Sequence, residues 1–204
     1  MIEITKEPGL WVLTLNRPDK ANSVTKAMLS GLADAVEAAT AEGVAALILT
    51  GAGKVYSAGA DLDDARAGLA TDPVWERLSG AIARFPGLTI AALNGTLAGG
   101  SMGMALACDL RLAVPGAKFF YPVMKLGFLP QPSDPARLVG LIGPSRAKAI
   151  LMAGQRIEAE EALGWGLIDR IVEAEALMET ARALAADVLA AKPGYAAAIK
   201  AMIG

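Results

Sequence analysis

Two apolar runs, Ala45 to Thr50 and Leu88 to Leu93, set the tightest limit on what this chain can fold into. Each is about one strand long and shows little alternation of polar and apolar residues. Each also runs into a glycine-containing turn. A strand that is apolar on both faces has to be covered on both faces, as in a parallel sheet packed between helices. The flanking segments supply those helices. Thr25 is a good cap for a helix reaching about Ala41, with Met28, Leu29, Leu32, Val36 and Ala39 spaced to form one buried face. Thr71-Asp72-Pro73 opens a second helix that turns Val74, Leu78 and Ile82 inward and ends near Phe85-Pro86-Gly87. Ile2 to Lys6 and Leu10 to Leu15 read as strands around a Pro-Gly turn, and Leu110 to Val114 and Lys118 to Phe120 as strands around Pro115-Gly116. From Ser133 onward the pattern is mostly helical. Helix starts are predicted at Gly143-Pro144 and Ile157 to Glu161, and closing helices over Leu177 to Leu189 and Tyr195 to Met202. This alternation predicts an α/β fold. The dinucleotide fingerprint is missing, which argues against a Rossmann domain.

Two of the turns carry candidate chemistry. Asn94 to Asp109, NGTLAGGSMGMALACD, passes through Gly99-Gly100 into small and apolar residues that read as a buried helix. Tyr56 to Leu62, YSAGADL, has a strand end, an Ala-Gly-Ala turn and then an acidic helix start. Glycine lets the backbone approach a ligand closely with its N–H groups unobstructed. Two such turns can each supply one N–H to a single oxyanion, the usual means of stabilising an enolate or a tetrahedral intermediate. Taken singly, either turn reads first as a plain strand-to-helix connection.

Composition removes other chemistries. The 204 residues suit one domain, and 54% apolar with 5% aromatic residues means a core of Ala, Leu, Val and Ile. A net charge of -2 gives no argument for nucleic acid or for a membrane surface. The chain has no histidine, so it contains no Ser-His or Cys-His dyad, and no ligand spacing suggests a metal site. The single cysteine, Cys108, lies in an apolar run and reads as a buried structural thiol; it fits a reducing, cytoplasmic setting. The first residues lack the basic and apolar regions of a signal peptide, and no apolar run is long and uninterrupted enough to cross a membrane.

Five ordered stretches together resemble the crotonase (enoyl-CoA hydratase/isomerase) superfamily. They are LNRPDKANSV from Leu15, YSAGADL, NGTLAGGSMGMALACD, FFYPVMKLGFLP from Phe119, and GLIGPSRAKAILMAGQRIEAEEALGWGLIDRIV from Gly140. The resemblance covers nearly the whole chain. It implies a spiral of ββα units over residues 1–132 and a helical C-terminal region over 133–204, shortened relative to the family, that assembles a trimer or hexamer. It implies that Ala60 and Gly100 hold the two oxyanion N–H groups for the thioester carbonyl of an acyl-CoA. No cofactor is implied beyond the coenzyme A of the substrate. Lys20 and Ala21 match the loop lining the adenine pocket, and Ala58, Asp61 and Leu62 its second side. Arg17 and Lys20 are candidates for the CoA phosphates. Asp61 is equally a helix cap.

The match fails at the general acid/base. Hydratases of this family carry two glutamates, and the alignment places Gly103 and Val123 there. Neither can transfer a proton, so efficient hydration is not expected. Gln131 falls where some relatives place a reactive aspartate, but an amide orients rather than abstracts. Tyr121 and Asp134 are nearby polar groups that could substitute, although Asp134, in Ser-Asp-Pro, reads first as part of a helix entry. Three classes of function follow: an enolate-forming acyl-CoA enzyme, a non-catalytic or weakly catalytic acyl-CoA-binding homologue, and a structural subunit of a larger assembly.

Overall fold

The computed structural model describes residues 1–203. Its strands are β1 (Ile2–Glu7), β2 (Leu10–Leu15), β3 (Ala46–Gly51), β4 (Val55–Ser57), β5 (Leu88–Leu93), β6 (Thr96–Ala98), β7 (Leu110–Ala113), β8 (Lys118–Phe120), β9 (Ile157–Glu158) and β10 (Arg170–Ile171). Its α-helices are α1 (Lys26–Ala41), α2 (Leu62–Arg66), α3 (Val74–Arg84), α4 (Met102–Leu106), α5 (Val123–Leu126), α6 (Asp134–Leu151), α7 (Ala159–Trp165), α8 (Leu177–Ala190) and α9 (Tyr195–Ile203). A six-stranded sheet runs β1-β2-β3-β5-β7-β10, and a four-stranded sheet runs β4-β6-β8-β9. Pairing is parallel throughout except for β1 with β2 and β8 with β9.

The unbroken apolar runs do what a doubly covered sheet requires. Leu47 and Ile48 point to opposite faces of β3, and both are fully buried, as are Ile90 to Leu93 along β5. Helix α8 lies against β3, β5 and β7. It turns Ala181 and Ala185 inward, and these small side chains let the helix sit close to the sheet. Thr25 caps α1 by accepting the amide of Met28, and the buried face includes the five predicted positions.

Where prediction and structure differ, length is the cause. β9 and β10 are two residues each, too short to show a period, and both fall in the stretch read as helical. Arg111 fastens β10 to β7. It is buried, and its guanidinium donates to the carbonyls of Leu167 and Cys108 at 2.9 and 2.6 Å, while its amide donates to Asp169. The buried helix read in the Asn94 stretch is one short turn of α-helix, α4, entered through a 3-10 turn at Gly99–Ser101. Gly143 has φ of 78° and breaks α6 before Pro144, where the Gly-Pro pair predicted a start.

Candidate active site

The two glycine turns meet. β4 and β6 are parallel neighbours, so the loops that leave them emerge side by side. Gly59 (φ 98°) and Gly99 (φ 59°) are both in the left-handed region, which disfavours any side chain. A β-carbon at Gly59 would come within 3.1 Å of the Ala98 carbonyl, and one at Gly99 within 3.6 Å of the Gly59 Cα. Ala60 and Gly100 follow directly. The amides on either side of Ala60 are engaged, Gly59 to Ser57 Oγ and Asp61 to the Val24 carbonyl. Among the described residues the Ala60 and Gly100 amides take no partner.

A buried polar scaffold fixes this arrangement. Ser57 Oγ lies 2.7 Å from Ser101 Oγ, tying one turn to the other, and 2.8 Å from the Asn22 carbonyl, to which it donates. Asn22 is fully buried, with φ of 50°, and its amide side chain donates to the carbonyls of Ala52 and Val55. Asn94 accepts from the Gly51 amide and donates to the Gly53 carbonyl. Sequence reading passed over Asn22, Ser57 and Ser101. Their only mark was a serine just ahead of one glycine turn, a serine just after the other and an Asn in the first loop.

These turns form one side of a cavity of about 320 Å³. The other side is the segment from Phe120 to Gln131, with Trp75 of α3 below. The lining is largely apolar. Leu62, Leu126 and Leu129 stand at its rim, 73, 59 and 86% exposed. Of the predicted site residues, Ala58, Ala60, Leu62, Gly100 and Gln131 line this cavity together. Lys20, Ala21 and Asp61 stand outside its lining. Lys20 is exposed, and the Ala21 carbonyl accepts the Ala58 amide, joining the two loops. Arg17 is engaged with Asp61 at 2.7 Å and with the Ser23 carbonyl. That bond with Arg17 holds the Asp61 carboxyl below the usual carboxylate range, and Asp61 also caps α2 through the amides of Asp63 and Asp64. Cys108 is buried and its thiol is pushed up to about 12 by desolvation.

The opposite side departs from the expected reading of Asp134. Although it is the first residue of α6, its side chain makes no cap. It is fully buried and accepts a hydrogen bond from Tyr121 Oη at 3.1 Å. The N-terminal end of α6 is held instead by Glu76 of α3, which accepts from both the amide and the hydroxyl of Ser133. Tyr121 Oη in turn accepts the Gln131 amide at 3.2 Å, and the Gln131 side chain donates to the Ala70 carbonyl. Burial pushes the Asp134 carboxyl up to about 7, against the downward pull of Tyr121 and Arg137 and with a push from Glu76. Gly103 packs directly beneath it: a β-carbon there would lie 2.8 Å from Asp134 Oδ1. Val123 is buried at the cavity wall.

Comparison with known proteins identifies the family and the fold. A family model described as enoyl-CoA hydratase/isomerase matches residues 5–203. The chain is 33% identical over 199 residues to 1,2-epoxyphenylacetyl-CoA isomerase of Escherichia coli, covering 93% of this chain and 76% of that protein. It is 34% identical over 201 residues to a short-chain-enoyl-CoA hydratase of Clostridium acetobutylicum, with the same two coverages. The crystal structure of an enoyl-CoA hydratase from Bacillus anthracis superposes with a TM-score of 0.91 at 32% identity, over 99% of this chain and 81% of that one. The mixed α/β architecture is therefore that of the crotonases, and the chain belongs to the enoyl-CoA hydratase/isomerase family.

Proposed function

We propose that this protein acts on an acyl-CoA thioester whose carbonyl oxygen is held by the Ala60 and Gly100 amides, and that the reaction runs through the enolate these amides stabilise. The observation that carries the reading is the contact between Gly59 and Gly99, which brings two unpartnered amides to one side of an apolar cavity. Donors fixed in advance of the reaction stabilise developing charge without reorganising, so their value lies in being rigid. Coenzyme A enters as part of the substrate, and Trp75, Phe120 and Phe128 around the cavity suit an apolar acyl group. Hydration of short enoyl-CoA is slow in this reading, because Gly103 and Val123 supply neither acid nor base. The test is a panel of acyl-CoA thioesters, scored by calorimetric binding and by mass detection of products. No binding by any of them would defeat the proposal.

A second reading has its own support in the same two positions: a homologue that binds acyl-CoA without turning it over. Binding with no product and no exchange of α-protons would favour it. The protein is also proposed to assemble as a trimer or hexamer. Tyr195, Ile199, Met202 and Ile203 of α9 are all more than half exposed, an apolar surface that a subunit contact would cover. Light scattering that gives a monomer at micromolar concentration would rule this out.

A further inference from the structure

We propose that Tyr121 and Asp134 stand in for the missing glutamates: Asp134 stores the transferable proton, and the Tyr121 hydroxyl passes it to and from the α-carbon of the bound thioester. The inference rests on the enolate reading above and goes beyond it by naming the proton carrier.

Three observations carry it. The Asp134 carboxylate occupies the root of the space a side chain at position 103 would take, with Oδ1 and Oδ2 at 2.8 and 3.2 Å from the β-carbon position. A carboxylate from another element thus fills this place, and glycine at 103 leaves room for it. The second observation is that only one of the two Asp134 oxygens is hydrogen-bonded. Its side chain is fully buried, Oδ1 has no hydrogen-bond partner, and the nearest cation, Arg137 Nη1, is 3.8 Å away and equally unpartnered. Buried polar atoms normally find partners, so an orphan oxygen marks a group kept for another purpose. Third, the residue that joins Asp134 to the cavity lining is Tyr121. Tyr121 and Gln131 both line the cavity, and Tyr121 Oη sits between the Gln131 amide and Asp134 Oδ2.

The hydroxyl can work in both directions. With Asp134 ionised, Tyr121 donates to it. The phenol oxygen can then take the α-proton as its own proton moves to Asp134. The C–H electron pair becomes that of the enolate, whose oxygen is held by the Ala60 and Gly100 amides. With Asp134 protonated, its O–H donates to the phenol oxygen, which is left free to deliver a proton to the α-carbon and regain one from Asp134. Mass and charge balance within substrate, Tyr121 and Asp134, and no further reactant is needed. The groups facing Asp134 are Tyr121 from the β8 side, Glu76 from α3 and Arg137 from its own helix. Burial holds its carboxyl near neutrality, where a proton carrier is most effective.

The test is exchange of the α-protons of butanoyl-CoA and phenylacetyl-CoA for deuterium, followed by mass spectrometry from pH 5 to 9. Wild-type exchange should rise with pH and level off above about 7. Asp134→Asn keeps an acceptor for Tyr121 but cannot store a proton. It should lower kcat for exchange ~10²-fold and abolish the inflection, with KM little changed. Tyr121→Phe should do the same, and the double variant should lose little more, because the two act as a unit. If Asp134→Asn does not fold, Tyr121→Phe carries the test alone. Folded variants that keep wild-type kcat and the inflection overturn the assignment while leaving the enolate reading intact. A wild type that binds neither thioester defeats the functional reading, and this inference with it.

Discussion

The two sides of the cavity are built from different materials. One is backbone: Gly59-Ala60 and Gly99-Gly100, held by Ser57, Ser101 and Asn22. The other is side chain: Val123, Tyr121, Gln131 and, behind them, Asp134. A backbone donor is tied to the path of the chain, so whatever keeps the fold keeps the donor. A side-chain acid has no such tie and can be lost at one position and regained from another helix.

The sharpest way to break that contrast is Gly100→Pro, which deletes one backbone donor. Turnover of any productive acyl-CoA should fall ~10²- to 10³-fold. A β-carbon at this position would lie 3.1 Å from the Trp75 ring, so Gly100→Ala is the needed companion. It keeps the amide and adds the same crowding, and it should retain far more activity than the proline variant. Equal losses in the two would mean that crowding matters and the donor does not.

A smaller effect is expected on the opposite side. Placing glutamates at 103 and 123 should not by itself create a hydratase, because the side chain at 103 would collide with Asp134 and set one buried carboxylate against another. Gly103→Glu alone should lower the melting temperature. Adding Asp134→Gly to Gly103→Glu and Val123→Glu should recover stability and raise crotonyl-CoA hydration by up to ~10²-fold over wild type. If the pair of glutamates gains as much with Asp134 present as without it, the two carboxylates do not compete for one space.

The smallest effect is a slope. Folded Asp134 holds its proton up to about 7, against 3.8 for an ordinary aspartate. Between those values the folded chain binds more protons at this site than the unfolded chain does. This group's contribution to stability therefore falls as pH rises from about 4 to about 7. Asp134→Asn should flatten that part of the curve, so that its melting temperature relative to wild type improves between pH 5 and pH 8. A parallel pair of curves would place the Asp134 carboxyl in the ordinary range.

The contrast also governs what could be read from the chain alone. Period and punctuation found β3, β5, α1 and α3, because each is long enough to show its pattern and has a cap or a glycine-containing turn at its end. Glycine turns found the backbone side, since glycine is itself the signal for a close approach. Ser-Asp-Pro is a true helix entry and Asp134 does open α6, but nothing local records that its carboxylate turns back toward Tyr121, thirteen residues away. That depends on the space left by Gly103 on a different helix. Likewise the Ser57–Ser101 bond spans 44 residues, so neither serine advertised the other.

Arg111 has a bearing on how the chain folds. Its buried guanidinium is satisfied by carbonyls on both sides of a 58-residue separation, and Asp169 supplies the counter-charge. Until residues 167–169 arrive, that charge has no buried place to go, since an unpaired cation in the interior is costly. The sheet around β7 is thus completed by a late segment of the chain, and the early two-thirds are not expected to settle into this packing ahead of it. Trp11 lies in β2 and Trp165 in α7, so the fluorescence of each in single-tryptophan variants reports the two ends separately. Coincident urea transitions would show that the late segment closes the structure in one cooperative event, and separate transitions would show that the early part stands without it.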